Sequence, residues 1–158
     1  MVLSVTRTTL DDLRDQIGRE LVVSDWLTVS QAAIDRFAEA TGDDQWIHID
    51  VERAARESPY SATVSHGFFT LSLIGTLLRD AIAIDGVGMS VNYGLNRVRF
   101  MAPVIAGSRI RGRFTVASFE ESGDTVKVVW SATVERESGG KPCCVAECIA
   151  LYYRGDAR

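Results

Sequence analysis

The stretch FFTLSLIGTLL, residues 68–78, decides the fold. Read as a helix, its Phe68, Phe69, Leu71, Leu73, Ile74, Leu77 and Leu78 leave almost no polar face, so other structure must surround it. It is about half the ~20 residues needed to cross a bilayer, and Arg79 and Asp80 follow at once. The reading is therefore a buried helix from about 67 to 84. Downstream, four strand-like runs can supply the cover: GMSVNYGLNRVRFMAPV (88–104), SRIRGRFTVASFEE (108–121), DTVKVVWSATVERE (124–137) and KPCCVAECIALYYR (141–154). Gly107, Ser122-Gly123 and Gly139-Gly140 punctuate them. Long strands joined by short connections favour an antiparallel meander, and a sheet curled around one apolar helix is an α+β fold.

Upstream of that helix the signals are shorter. TLDDLRDQIG (9–18) reads as a helix capped by Thr9, with Leu10, Leu13 and Ile17 on one face and Gly18 as its stop. ELVVSDWLTV (20–29) is rich in strand formers. A second helix follows, with Thr28 and Gln31 as a capping box or Ser30 as the competing cap. Its Ile34, Phe37, Ala38 and Thr41 fall at helical spacing, and Gly42 ends it. DVERAARE (50–57) reads as a brief helix capped by Asp50, and SPYSATVSHG (58–67) as a loop.

At 158 residues the chain fits one domain over 1–158 with a single core. A hydrophobic fraction of 46% beside 24% charged residues is that of a folded protein rather than a disordered one. The net charge of −4 argues against a nucleic-acid partner, because phosphate binding needs a concentrated basic surface. The first twenty residues hold no uninterrupted apolar block of the secretory kind, so the expectation is a cytoplasmic protein with no membrane segment. Cys143, Cys144 and Cys148 read as small buried hydrophobes, since zinc takes four ligands and both histidines are distant in sequence.

The chemistry concentrates around FAEATGDDQWIHI (37–49), where a glycine, two aspartates and one of only two histidines follow an amphipathic helix. In TGDDQWIH the positions Phe37, Gly42, Asp43, Ile47, His48, Asp50 and Ala54 or Ala55 resemble the marker of the MaoC-like, R-specific enoyl-CoA hydratase family. That marker runs from an aromatic to a Gly-Asp pair, an aliphatic and a His, then Asp and Ala. A second family marker, a His-Gly pair opening the central helix, is matched by His66-Gly67 within SHGF (65–68). Gln45-Trp46 stands where the family usually has Asn-Pro. Together with VNYGLNRVRFMAPV (91–104), this version is more similar to the nodulation-protein-N-like branch, over roughly residues 21–153.

The resemblance implies a hot-dog fold, a homodimer, and Asp43 with His48 as the catalytic dyad of an R-specific enoyl-CoA hydratase. Hydrating an enoyl thioester requires a water held over the β-carbon, a base, an acid and stabilisation of the enolate oxygen. With Gly42 ending the helix, the next loop can turn both dyad side chains toward one water, and their titrations are coupled. Gly67 lets a thioester carbonyl approach the backbone N–H groups that open the central helix, where free donors and the helix dipole favour negative charge.

Further substrate-binding candidates are His66, Phe68 and the Tyr93, Gly94 and Asn96 wall, the last three on a strand read as central. Arg97 and Arg99 share a strand face suited to the phosphates of CoA, and Arg109, Arg111 and Arg113 could extend that cationic surface. No metal, nicotinamide or flavin is expected, as no glycine-rich phosphate loop follows a strand. Two readings stay open beside hydration: an acyl-CoA thioesterase, in which a carboxylate turns water on the thioester carbonyl, and a non-catalytic acyl-thioester-binding subunit.

Overall fold

The computed structural model describes residues 5–155. Its elements are β1 (Thr6–Thr9), α1 (Leu10–Asp15), β2 (Glu20–Val23), β3 (Leu27–Thr28), α2 (Gln31–Thr41), α3 (Trp46–Ile49) and α4 (Val51–Glu57), followed by α5 (Gly67–Ala81), β4 (Ile82–Asp85), β5 (Val87–Arg99), β6 (Arg109–Ser122), β7 (Thr125–Arg136) and β8 (Cys144–Arg154). β6, β7 and β8 form the expected antiparallel meander, with β2 and β3 paired to β6. β5 joins beside β8, at the far end of the order β2-β6-β7-β8-β5. The strand read as central is therefore an edge, because β8 returns alongside β5 and closes the four-strand run on that side.

The apolar helix is α5, and the sheet wraps its buried side. Ile110, Phe114 and Val116 of β6 and Val126, Val128, Trp130, Ala132 and Val134 of β7 occupy alternate positions and are all buried, so one face of each strand meets the core. Thr70, Ile74, Leu77 and Ala81 are the buried positions of α5. This helix within a curled antiparallel sheet is the hot-dog arrangement. α5 stops at Ala81 rather than at 84, because Ile82–Asp85 adopts extended backbone and pairs in parallel with β1.

Local signals explain most of the smaller elements. Thr9 caps α1 through a reciprocal box with Asp12, each bond 3.2 Å long. α1 ends at Asp15, before Ile17, which lies 46% exposed instead of sharing the face of Leu10 and Leu13. Ser30 caps α2 by accepting from the Ala33 N–H at 3.2 Å, whereas Thr28 belongs to β3. Asp50 caps α4 as its sequence suggests. Cys143 and Cys144 are buried and Cys148 is half-buried. Burial pushes the Cys144 thiol up to about 12 and the Cys148 thiol to about 11, so both stay protonated and packed.

Gly112 of β6 lies under α5. A Cβ there would lie 2.5 Å from the buried Phe114 ring and 3.4 Å from Leu77 Cβ. Its backbone is fixed as well, since the Gly112 N–H donates to Ser24 Oγ at 2.9 Å and the Gly112 carbonyl accepts from the Ser24 N–H at 2.8 Å. The strand cannot retreat here without breaking these bonds. Gly112→Ala is expected to lower unfolding free energy by about 1–3 kcal/mol through overpacking, read as a fall in the urea midpoint with an unchanged slope.

Candidate active site

α2 ends on Gly42, whose φ of 76° lies in the left-handed region that glycine enters without a Cβ penalty. The chain turns through residues 43–45 into the single turn of α3, leaving Asp43 exposed and His48 buried at 8% exposure. His48 Nδ1 lies 2.6 Å from the Val64 carbonyl oxygen. A carbonyl only accepts, so Nδ1 carries the hydrogen and Nε2 is the bare, basic nitrogen of the neutral ring.

Gln31, in the first turn of α2, holds this arrangement from behind. Its amide nitrogen donates to the His48 carbonyl at 2.7 Å and to Asp35 Oδ1 at 2.7 Å, while its amide oxygen accepts from the Thr63 hydroxyl. One side chain thus ties α2 to α3 and to the loop that carries Val64. The sequence offers only a capping role for Gln31; the bridge joins positions far apart along the chain and has no local signature. The loop is pinned on its other side, where Ser65 N–H donates to the Val104 carbonyl at 2.7 Å and Ala106 N–H to the Thr63 carbonyl at 3.0 Å.

His66 precedes α5 and is 2% exposed. Its Nε2 lies 2.8 Å from the backbone carbonyl of Asp43, and its ring stacks on His48 with centroids 3.7 Å apart and planes 28° from parallel. The Asp43 carboxylate and the two imidazoles place ligand-type atoms within 4.8 Å of one another. In-plane lone pairs on two such nearly parallel rings do not converge on a point about 2.1 Å from both nitrogens, as a shared metal ion requires. The cluster suits hydrogen bonding to one small molecule better than chelation. Burial pushes the His48 imidazole below its ordinary range; the Val64 bond and the Asp43 carboxylate oppose that shift, and His66 adds to it.

Gly67 opens α5, and a Cβ there would lie 2.9 Å from the Phe100 ring. Any side chain at this position would therefore have to displace the Phe100 ring. His66 makes no side-chain cap, so its imidazole does not occupy the N–H donors of the first turn. Phe68 is 69% exposed and meets Phe100 edge-on at 6.0 Å.

The structure therefore brings Asp43, His48 and His66 together beside Gly67. Tyr93 and Gly94 line instead a cavity of about 450 Å³ between α5 and the β5 and β8 strands, whose walls include Leu71, Gly75, Leu78 and Trp130 but none of the three clustered residues. Asn96 is exposed on β5 and lies outside that lining. Arg97 and Arg99 are exposed, and neither is paired with a carboxylate among the described residues; Arg99 Nη1 donates to the Val98 carbonyl at 2.7 Å. The wider cationic surface does not form. Arg109 pairs with Glu137 at 2.6 Å, Arg111 with Glu135 at 2.5 Å, and Arg113 with Glu20 at 2.7 Å, because β6 sets these side chains on its outer face beside acidic neighbours.

Comparison with known proteins gives a consistent result. The family model described as "MaoC like domain" matches residues 12–138. A 3-hydroxyacyl-thioester dehydratase Z of Mycobacterium tuberculosis is 45% identical over 148 residues, covering 93% of this chain and 97% of its own. Nodulation protein N of Rhizobium leguminosarum bv. viciae is 45% identical over 145 residues, covering 90% of each chain. Among solved structures, the unliganded R-hydratase PhaJ1 of Pseudomonas aeruginosa superposes with a TM-score of 0.69 at 19% identity, covering 88% of this chain and 83% of that one. At that identity the likeness concerns the fold.

The lowered His48 midpoint fixes the sign of a pH effect. The folded protein prefers the neutral ring, so the unfolded chain binds the proton first as pH falls. The stability contributed by neutral His48 is full above about pH 6.5 and is lost as pH drops through the lower folded midpoint. Wild-type Tm is expected to fall more between pH 8 and pH 5 than that of His48→Gln, measured by calorimetry on both proteins.

Proposed function

The chain belongs to the MaoC-like domain family, and on that footing we propose that it is a hydro-lyase adding water reversibly to trans-2-enoyl thioesters to give R-3-hydroxyacyl thioesters. The observation that carries the reading is the placement of the Asp43 carboxylate beside a buried, neutral His48 whose Nδ1–H is committed to Val64. A water between the Asp43 carboxylate and His48 Nε2 gives up one proton to the pair as its oxygen bonds to the β-carbon. The pair returns a proton to the α-carbon, so one water is consumed and no redox step occurs. Base and acid roles belong to the coupled pair. The Gly67 N–H, at the positive end of α5, receives the enolate oxygen of the thioester.

The rest of the substrate follows the shape of α5. Leu71, Gly75 and Leu78 form one helical stripe leading away from Gly67 and Phe68 into the 450 Å³ cavity, a path for an apolar acyl tail. Arg97 and Arg99, left without carboxylate partners among the described residues, are available to the phosphates of the carrier. A homodimer is supported by β5, a thirteen-residue edge strand with Met89, Tyr93 and Leu95 exposed at 52%, 65% and 46%. A long apolar edge of that kind asks for a partner strand, and a second copy supplies one. Three unpaired thiols suit a reducing cytoplasm. Among the described residues no helix is long and apolar enough to cross a membrane.

The test is loss of the conjugated enoyl-thioester absorbance with enoyl-CoAs of several chain lengths, alongside thiol release. Wild-type protein is expected to remove absorbance without releasing thiol. Asp43→Asn and His48→Gln, each verified as folded by thermal melting, are expected to lower kcat by about 10²–10⁴. Thiol release would make the protein a thioesterase, and acyl-CoA binding without turnover would make it a binding subunit.

A further inference from the structure

His66 has no part in the water addition as derived above, yet it is buried and held on several sides. Its Nε2 is 2.8 Å from the Asp43 backbone carbonyl. Its ring lies against His48 at 3.7 Å and against Phe37 at 5.0 Å, and Phe37 in turn stacks on Phe69 of α5 at 5.1 Å. Its second nitrogen, Nδ1, is buried and has no hydrogen-bond partner.

These contacts fix the proton. The Asp43 carbonyl cannot donate, so Nε2 of His66 carries the hydrogen and Nδ1 is bare. Nε2 of His48 is bare too, since the Val64 carbonyl holds the hydrogen on its Nδ1. The ionisable groups acting on His48 are His66 and Asp43, while Phe37 of α2 and Phe69 of α5 pack around the pair without charge.

We propose that His66 is a positioning residue, an imidazole whose Nε2–H clamps the Asp43 backbone carbonyl and whose ring buttresses the face of His48. One side chain thereby sets both members of the dyad from the first residue before α5. The inference rests on the hydratase reading for what the dyad does; the tautomers and the stacking are independent of it.

With only two histidines in the chain, ¹⁵N-histidine NMR resolves each ring without ambiguity. In the neutral rings His48 is expected as the Nδ1–H tautomer and His66 as the Nε2–H tautomer. His66 found in the Nδ1–H form would overturn the proposal whether or not the protein hydrates enoyl thioesters. His66→Gln keeps an amide donor for the Asp43 carbonyl and removes the ring, whereas His66→Phe keeps a ring and removes the donor. Both are expected to lose about ten- to a hundredfold in kcat with KM nearly unchanged, the cost of a misplaced reacting group. A folded His66→Gln with wild-type kcat contradicts it. If both variants fail to fold, the wild-type tautomers still decide.

Discussion

The burial of α5 within the curled sheet is the constraint on which the rest depends. An apolar helix with so little polar surface must be covered, and β6, β7 and β8 cover it with alternate buried side chains. Within that packing Gly112 leaves room for the buried Phe114 ring beneath the helix, with Leu77 close by. Once the helix axis is fixed, so is the position of its first residue. His66 and Gly67 therefore stand at a set place, and the loop after α2 is held to them by the bond from His66 to the Asp43 carbonyl.

The chemistry of the site follows from two backbone carbonyls more than from the ionisable side chains themselves. Val64 holds the proton on Nδ1 of His48, and the Asp43 carbonyl holds the proton on Nε2 of His66. Each bond leaves one bare nitrogen, and stacking of the rings discourages a charge on both. Burial keeps His48 neutral near pH 7, which a group that accepts and returns a proton requires. Gln31 contributes from the opposite side by fixing the His48 backbone and the Thr63 hydroxyl together.

Much of this was legible in the sequence wherever the signal was local. The apolar run 68–78, the alternation in β6 and β7, the glycine stop at Gly42 and the cap at Asp50 each follow from a few neighbouring residues. The nearness of Asp43 and His48 was legible in their spacing after the Gly42 stop, while their role as a dyad is what the family likeness implies. What was not legible is long-range. The arginines of β6 alternate just as phosphate-binding residues would, but the glutamates that neutralise them lie on β2 and β7 or just beyond β7. β5 reads as a central strand from its length and apolar content, yet its place at the edge is decided by where β8 returns. Gln31 and His66 look like a cap and a loop residue until the fold brings Thr63, His48 and Asp43 against them.

The central claim is that the oxygen of a water held by Asp43 and His48 is delivered to the β-carbon and not to the thioester carbonyl. Incubating the protein with a trans-2-enoyl-CoA in H₂¹⁸O and locating the label by mass spectrometry tests that directly. The account requires the label in the 3-hydroxyl of an intact thioester. Label in the carboxylate of a released acid would contradict it.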